Sequence, residues 1–209
     1  VGIFSWFKGT PEPEAKRLRA PSPKPMTGRL IHAALFIGAP GTGKTTDLQE
    51  VVERNWRDGC RFVISDRLGY WGYMRDWPNV HVLQGGTHEE ACAYAIQKVP
   101  YSTVVIDEIA EAVPANEQPD EESARWEILR AGRNACAFGK WRRPGPVAML
   151  GACQQPHQIH VRARGLFDRL YVSRLTEQPA IIWVKGFDEG LAERARVIPY
   201  GLFAVHDRL

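Results

Sequence analysis

Residues Gly38-Ala39-Pro40-Gly41-Thr42-Gly43-Lys44-Thr45 constrain this chain more than any other stretch. They satisfy the pattern G-x-x-x-x-G-K-[ST]. An apolar run from Leu30 to Ile37 precedes them and a helix-like segment from Thr46 to Trp56 follows. This is the strand–loop–helix setting that a phosphate-binding loop, or P-loop, requires. Glycines let the backbone wrap a phosphate without Cβ clashes. Main-chain N–H groups then converge inward, and the helix adds its positive end. In that arrangement Lys44 reaches the β- and γ-phosphates, and the Thr45 hydroxyl meets Mg²⁺, with Thr46 beside it in the first helical turn. The expected ligand is a nucleoside triphosphate bound by residues 38–46.

Downstream, the apolar strand Thr103-Val104-Val105-Ile106 ends in Asp107-Glu108. A buried strand closed by adjacent carboxylates is the Walker B pattern. Asp107 is expected to hold the Mg²⁺ shell and Glu108 to orient and polarise an attacking water. An Asp for the metal with a Glu for water points to hydrolysis rather than transfer to a small acceptor.

Charge is distributed unevenly. Residues 1–29 hold six Lys or Arg against two Glu, and residues 125–174 hold ten Arg or Lys against Glu127 and Asp168. A basic half on a near-neutral domain suits a polyanion partner, although a set of solvated arginines reads the same way. Residues 1–28 carry Pro11, Pro13, Pro21, Pro23 and Pro25 among basic residues, which excludes helix and central strand. They are expected to form an extended arm ahead of a single domain spanning 29–209. The tip of the arm, Ile3 to Phe7, suits a membrane surface, a partner protein or the domain itself. Cys60, Cys92, Cys136 and Cys153 have no ligand-like spacing and read as small buried hydrophobes in a reducing compartment. No apolar run approaches the roughly 20 residues of a membrane-spanning helix. There is no secretory signal pattern.

The remaining pattern alternates strands with helices. Strands are expected at Arg61–Ser65 (closed by Asp66), Val80–Leu83, Val147–Leu150, Arg169–Leu175, Ala180–Val184 and Tyr200–Val205. Helices are expected after Thr87 as far as Lys98, after Ser123 from Ala124 to Ala137, and over Glu189–Ala195. Arg67 to Trp77 mixes glycine and aromatics and reads as an irregular loop. This order predicts an α/β fold with a mainly parallel central sheet and helices on both faces. Ligands of such sheets lie at the carboxyl ends of the strands. The P-loop, Asp66, Asp107, Glu108 and Gln154 all fall at such ends, so one site is expected to contain them. Lys140-Trp141-Arg142-Arg143, with Arg162 and Arg164 further on, offers cations around an indole, suited to tracking nucleic-acid phosphates and stacking on a base or sugar.

The ordered set over residues 30–175 resembles the FtsK–HerA superfamily of RecA-like DNA-pumping ATPases. In that family a strand after Walker B ends in an alanine-threonine-glutamine-arginine-proline type motif. Ala152-Cys153-Gln154-Gln155-Pro156 matches it, with Cys for Thr and Gln155 for Arg. Leu129-Arg130-Ala131-Gly132-Arg133 matches a stretch typical of the preceding helix. The minimal size is similar to the genome-packaging ATPases of tailless, membrane-containing icosahedral viruses. The resemblance implies a homo-oligomeric ring, pentameric or hexameric, that hydrolyses ATP with Mg²⁺ and drives double-stranded DNA into a capsid. It implies that Gln154 senses the γ-phosphate or places the water, and that Arg130 or Arg133 reaches a neighbour's γ-phosphate. It also implies a site of action in the host cytoplasm or the virion, with capsid vertex proteins or a membrane surface as partners of the arm.

Three rival readings use the same residues. A nucleotide or small-molecule kinase shares the Gly-Ala-Pro-Gly-Thr-Gly-Lys-Thr-Thr string, but Asp107-Glu108 and the late glutamine oppose it. An AAA-type ATPase needs a helical lid, whereas residues 165–209 read as strand-rich. A cellular-type DNA pump, or a membrane-docked phage assembly ATPase, shares the core but carries additional segments.

Overall fold

The computed structural model describes residues 33–118, 120, 122–131 and 145–207. The expected arm at 1–28, the end of the helix after Ala131, and Cys136, Arg133 and Lys140 to Arg143 lie outside the described residues.

The first strand, β1 (Ala34–Ile37), enters the loop at Gly38 and is followed by helix α1 (Lys44–Arg57). Then come β2 (Arg61–Asp66), β3 (Val80–Gln84), α2 (His88–Lys98) and β4 (Ser102–Ile106). A single turn, α3 (Ile109–Ala112), leads to α4 (Ala124–Ala131), β5 (Val147–Cys153), α5 (Val161–Arg164) and β6 (Arg169–Val172). The described chain closes with α6 (Gln178–Lys185), α7 (Glu189–Val197) and β7 (Ala204–Asp207).

The seven strands make one sheet in the order β3-β2-β4-β5-β1-β6-β7. Every pairing is parallel except β6 with β7. Because β5 lies between β1 and β4, its end is flanked by the phosphate loop on one side and the Asp107-Glu108 turn on the other. Register fixes this, since Ile37 lies opposite Cys153 and Ile106 opposite Gly151.

Strand side chains alternate between two cores. On one face Ala34, Phe36, Phe62 and Ile64 meet Leu48, Val52 and Trp56, which recur every fourth residue along α1. On the other, Leu35, Ile37, Val104 and Ile106 meet Ala91, Cys92, Ala95 and Ile96 of α2, with α4, α6 and α7 packed alongside. Helices therefore cover both faces.

Two expected strands are corrected: the last begins at Ala204, with Tyr200 in the turn before it, and another is not a strand. Ala180–Val184 is part of helix α6, not a strand. A short β-branched apolar run does not by itself distinguish the two. Pro179 in the first turn suits a helix start. Ala180, Ile181 and Val184 are buried while Ile182 stays 59% exposed, a helical and not a two-residue period. Residues 178–197 are thus two packed helices, and the strand-rich ending that set the chain apart from lid-bearing ATPases does not exist. The turn at Val161–Arg164 is also helical.

Candidate active site

The loop builds itself from its own atoms. Gly41 (φ 74°) and Gly43 (φ 89°) take left-handed backbone angles, which glycine alone adopts without strain. Gly38 is held for another reason: a Cβ there would stand 2.6 Å from Thr42 Oγ1 and 2.9 Å from Ser173 Cβ. Thr42 is buried and donates its hydroxyl to the Ala39 carbonyl at 2.8 Å, so it frames the loop. Ala39 is buried beside β6 and donates its N–H to the Arg174 carbonyl, whereas Pro40 is exposed at the tip.

Gly41, Gly43, Lys44, Thr45 and Thr46 line an open cleft of about 430 Å³. Asp107, Glu108 and Gln154 line the same cleft. Thr45 Oγ1 lies 3.0 Å from each carboxylate oxygen of Asp107, joining the start of α1 to the end of β4. Lys44 is 7% exposed, and its ammonium donates to the Ala39 carbonyl at 2.9 Å. Burial lowers its pKa, an effect opposed by the charges of Glu108 and Asp107.

Burial raises both carboxyl groups. For Asp107 the Thr45 hydrogen bond and the Lys44 charge work against that rise. For Glu108 the opposing bonds come from the Cys153 thiol and from the N–H groups of Ala110 and Gln154. Glu108 Oε1 is buried without a protein partner. A carboxylate with one oxygen fixed by the backbone and the other unbonded beside a phosphate cradle is placed to take a proton from water. Among the described residues no group of three His, Cys, Asp or Glu side chains forms a metal cage of its own. The Thr45–Asp107 pair fits a hard cation that takes most of its oxygens from phosphates and water.

No family model and no curated protein sequence matches the chain. Solved structures do. The genome packaging NTPase B204 from Sulfolobus turreted icosahedral virus 2, in complex with sulfate, superimposes with TM-score 0.68 at 13% identity, over 85% of this chain and 91% of that one. The same protein in complex with AMPPCP gives 0.65 at 13% identity, over 84% and 92%. B204 described as the DNA-packaging ATPase from Sulfolobus turreted icosahedral virus gives 0.67 at 12% identity, over 84% and 92%. The chain has a P-loop NTPase fold. At this identity the likeness establishes that architecture, while the residues of this chain carry the chemistry.

Several expected residues of this P-loop NTPase fold stand apart from the cleft. Asp66 adjoins Asp107 in a smaller side cleft, but its carboxylate accepts the N–H groups of Gly69 at 2.8 Å and Trp71 at 3.2 Å. It is a loop anchor. Arg130, on α4, donates to Glu127 of the same helix at 2.6 Å and is half exposed. Arg162 is exposed on α5. Arg164, expected to meet nucleic acid, is half-buried and packs within the chain. Its guanidinium lies 5.4 Å from the Trp183 ring centre and 5.3 Å from that of Phe187, and it donates to the Trp183 carbonyl at 3.3 Å. Arg133 and Lys140-Trp141-Arg142-Arg143 lie outside the described residues.

Other residues near the site escaped the sequence reading. Leu68 and Tyr70 line the cleft from the segment read as an irregular loop. Gln49 on α1 donates to the Tyr70 carbonyl at 3.0 Å and, with Asp66, fixes that segment. The available signal was Asp66 followed by Gly69, a side chain able to cap a turn. Cys153 is buried as expected, yet its thiol bonds the very carboxylate placed to act as base, and burial pushes that thiol up. In the side cleft Arg67 pairs with Glu111, and His88 Nδ1 sits 2.9 Å from Ser65 Oγ. Burial lowers the His88 pKa.

Proposed function

We propose that the chain is an ATP-hydrolysing translocase of double-stranded DNA, working as a homo-oligomeric ring that packages a viral genome. The observation that carries this reading is the contact of Thr45 with both oxygens of Asp107, in a cleft that Lys44, Glu108 and Gln154 share.

Thr45 and Asp107 would hold Mg²⁺, which neutralises charge on the β- and γ-phosphates when bound. The N–H groups at the start of α1 bind the phosphates, and Lys44 places its charge at the terminal one. Glu108 holds a water in line with the γ-phosphorus and accepts its proton. The water oxygen bonds to phosphorus as the bond to the β–γ bridging oxygen breaks, giving ADP and phosphate. Gln154, at the end of the strand between cradle and carboxylates, meets the terminal phosphate and reports its loss.

The packaging role is supported by a shared fold with a viral genome packaging NTPase. DNA is supported by ten basic against two acidic residues over 125–174. Arg162 and the Lys140 to Arg143 stretch would follow phosphates, and Arg130 or Arg133 would complete a neighbour's site. Residues 1–28 would contact a capsid vertex protein or a membrane surface, with the ring in the host cytoplasm or virion. Among the described residues no helix is long and apolar enough to cross a membrane.

Phosphate release measured with and without linear duplex DNA tests the reading. DNA should raise the rate, and Lys44→Ala should abolish it. A rate indifferent to DNA but raised by a nucleoside monophosphate or another small acceptor would replace the motor with a kinase.

A further inference from the structure

We infer that Tyr200, held by Arg174, is the stacking platform for the base of the bound nucleotide. This rests on the triphosphatase reading of the cleft and assigns a part of that site which the phosphate loop leaves open.

The placement follows from topology. Strand β7 runs antiparallel to β6, and Ala204 pairs with Val172. The turn just before β7 therefore stands at the carboxyl end of β6, on the same edge of the sheet as the phosphate loop. Two hydrogen bonds fasten that end of β6 to the loop: Ser173 N–H to the Ile37 carbonyl at 2.8 Å, and Ala39 N–H to the Arg174 carbonyl at 3.0 Å. The Arg174 guanidinium in turn lies 5.3 Å from the centre of the Tyr200 ring. One residue thus touches the cradle through its backbone and the aromatic ring through its side chain.

The direction of the nucleotide selects this side. Thr45, Asp107, Glu108 and Gln154 converge on the β4–β5 side of the loop, where the terminal phosphate belongs. On the triphosphatase reading, the sugar and base leave the cradle on the side opposite those carboxylates, toward β6 and β7. There the turn presents Tyr200, 57% exposed, and Leu202, 56% exposed, two large apolar side chains in a turn closed by Leu202 N–H to the Pro199 carbonyl. Gly201, at φ 79°, supplies the left-handed angle of that turn. Single exposed apolar residues are common. This ring differs because a cation at the cradle's own border lies against it. An aromatic face backed by guanidinium offers stacking and little hydrogen-bond readout, so it should accept adenine and guanine alike.

The test compares two ligands that share phosphates and differ in the base. Calorimetry with Mg²⁺ would measure a non-hydrolysable ATP analogue and inorganic tripolyphosphate on wild type, Tyr200→Ala, Tyr200→Phe and Lys44→Ala. Tyr200→Ala should weaken the ATP analogue about 5- to 150-fold and leave tripolyphosphate unchanged, with Tyr200→Phe close to wild type. Tyr200 is exposed, so the variant should keep its melting temperature. Equal weakening of both ligands, or no change in either, overturns the platform while Lys44→Ala still loses both. A change in particle mass with unaltered nucleotide affinity would overturn it too, by assigning the turn to a neighbouring subunit. Wild type binding neither ligand, or Lys44→Ala binding both like wild type, would instead remove the triphosphatase reading beneath it.

Discussion

Glu108 and Asp107 are partly buried carboxyl groups lining the cleft, and burial raises the pKa of both. The sign of the consequence is opposite to that of an ordinary ion-paired acid. A raised pKa means that the folded state binds the proton more tightly, so stability is lost as pH rises through the interval between the usual carboxylate value and the raised one. Glu108→Gln removes that cost. The nucleotide-free variant should melt above wild type at pH 8, and the gap should narrow as pH falls into the carboxylate range. The same variant should lose about 10²- to 10⁴-fold in hydrolysis while keeping ATP affinity, since it removes the base and not the cradle. Thermal melts at the two pH values, run beside phosphate-release assays, check both halves. A variant no more stable than wild type at pH 8 would mean that the buried carboxyl is stabilised by its bonds to Cys153 and the backbone.

At the scale of elements, legibility tracked how local the cause was. Thr87 predicted a helix start because a cap acts on groups within four residues of itself. The structure shows the reciprocal pair, with Glu90 N–H to Thr87 Oγ1 at 3.1 Å and Thr87 N–H to Glu90 Oε2 at 2.7 Å. Thr87→Ala should cost about 0.5–2 kcal/mol in chemical denaturation, with the fold unchanged. The apolar strands were equally legible, because a strand buried on both faces reads as a continuous run. The same rule misled at Ala180–Val184, where a similar run is a helix whose Trp183 packs under Arg164, a contact nineteen residues distant in sequence. The cleft divides likewise. Lys44, Thr45, Asp107 and Glu108 were legible from two short motifs. Tyr70 and Cys153 were not, because their roles arise from segments that meet only after the sheet has formed. Gly186 shows how specific such meetings are: a Cβ there would stand 2.7 Å from Arg164 Nη1.

For the whole molecule, the proposed ring makes the active unit an interface between subunits. A heterologous interface that closes into a ring gives every subunit one donated arginine and one received. Arg130 is paired with Glu127 in the isolated chain, so donating it would require that pair to open on assembly. If the finger acts in trans, a variant lacking both Arg130 and Arg133 should lose about 10³- to 10⁵-fold in rate while still binding ATP. Mixed with Lys44→Ala subunits, it should recover activity at about a quarter of the interfaces, those where an intact cradle faces an intact arginine. Mixtures that stay dead would place the arginines elsewhere. DNA contact belongs to the same scale. Arg162→Ala should reduce the slope of log affinity against log salt by about 1 if that side chain meets a phosphate of the duplex.

The crowding at Gly38 has a further consequence. At Gly41 and Gly43 the objection to a side chain is an angle, which asparagine tolerates now and then, and no neighbour stands closer than an ordinary contact. At Gly38 the objection is volume, since Thr42 and Ser173 already occupy the space. A side chain is therefore opposed by backbone strain at the later two positions and by its neighbours at the first. An alanine at Gly38 that silenced the protein would be reporting a wedge driven between β1 and β6, although it would pass in any scan for a lost phosphate ligand.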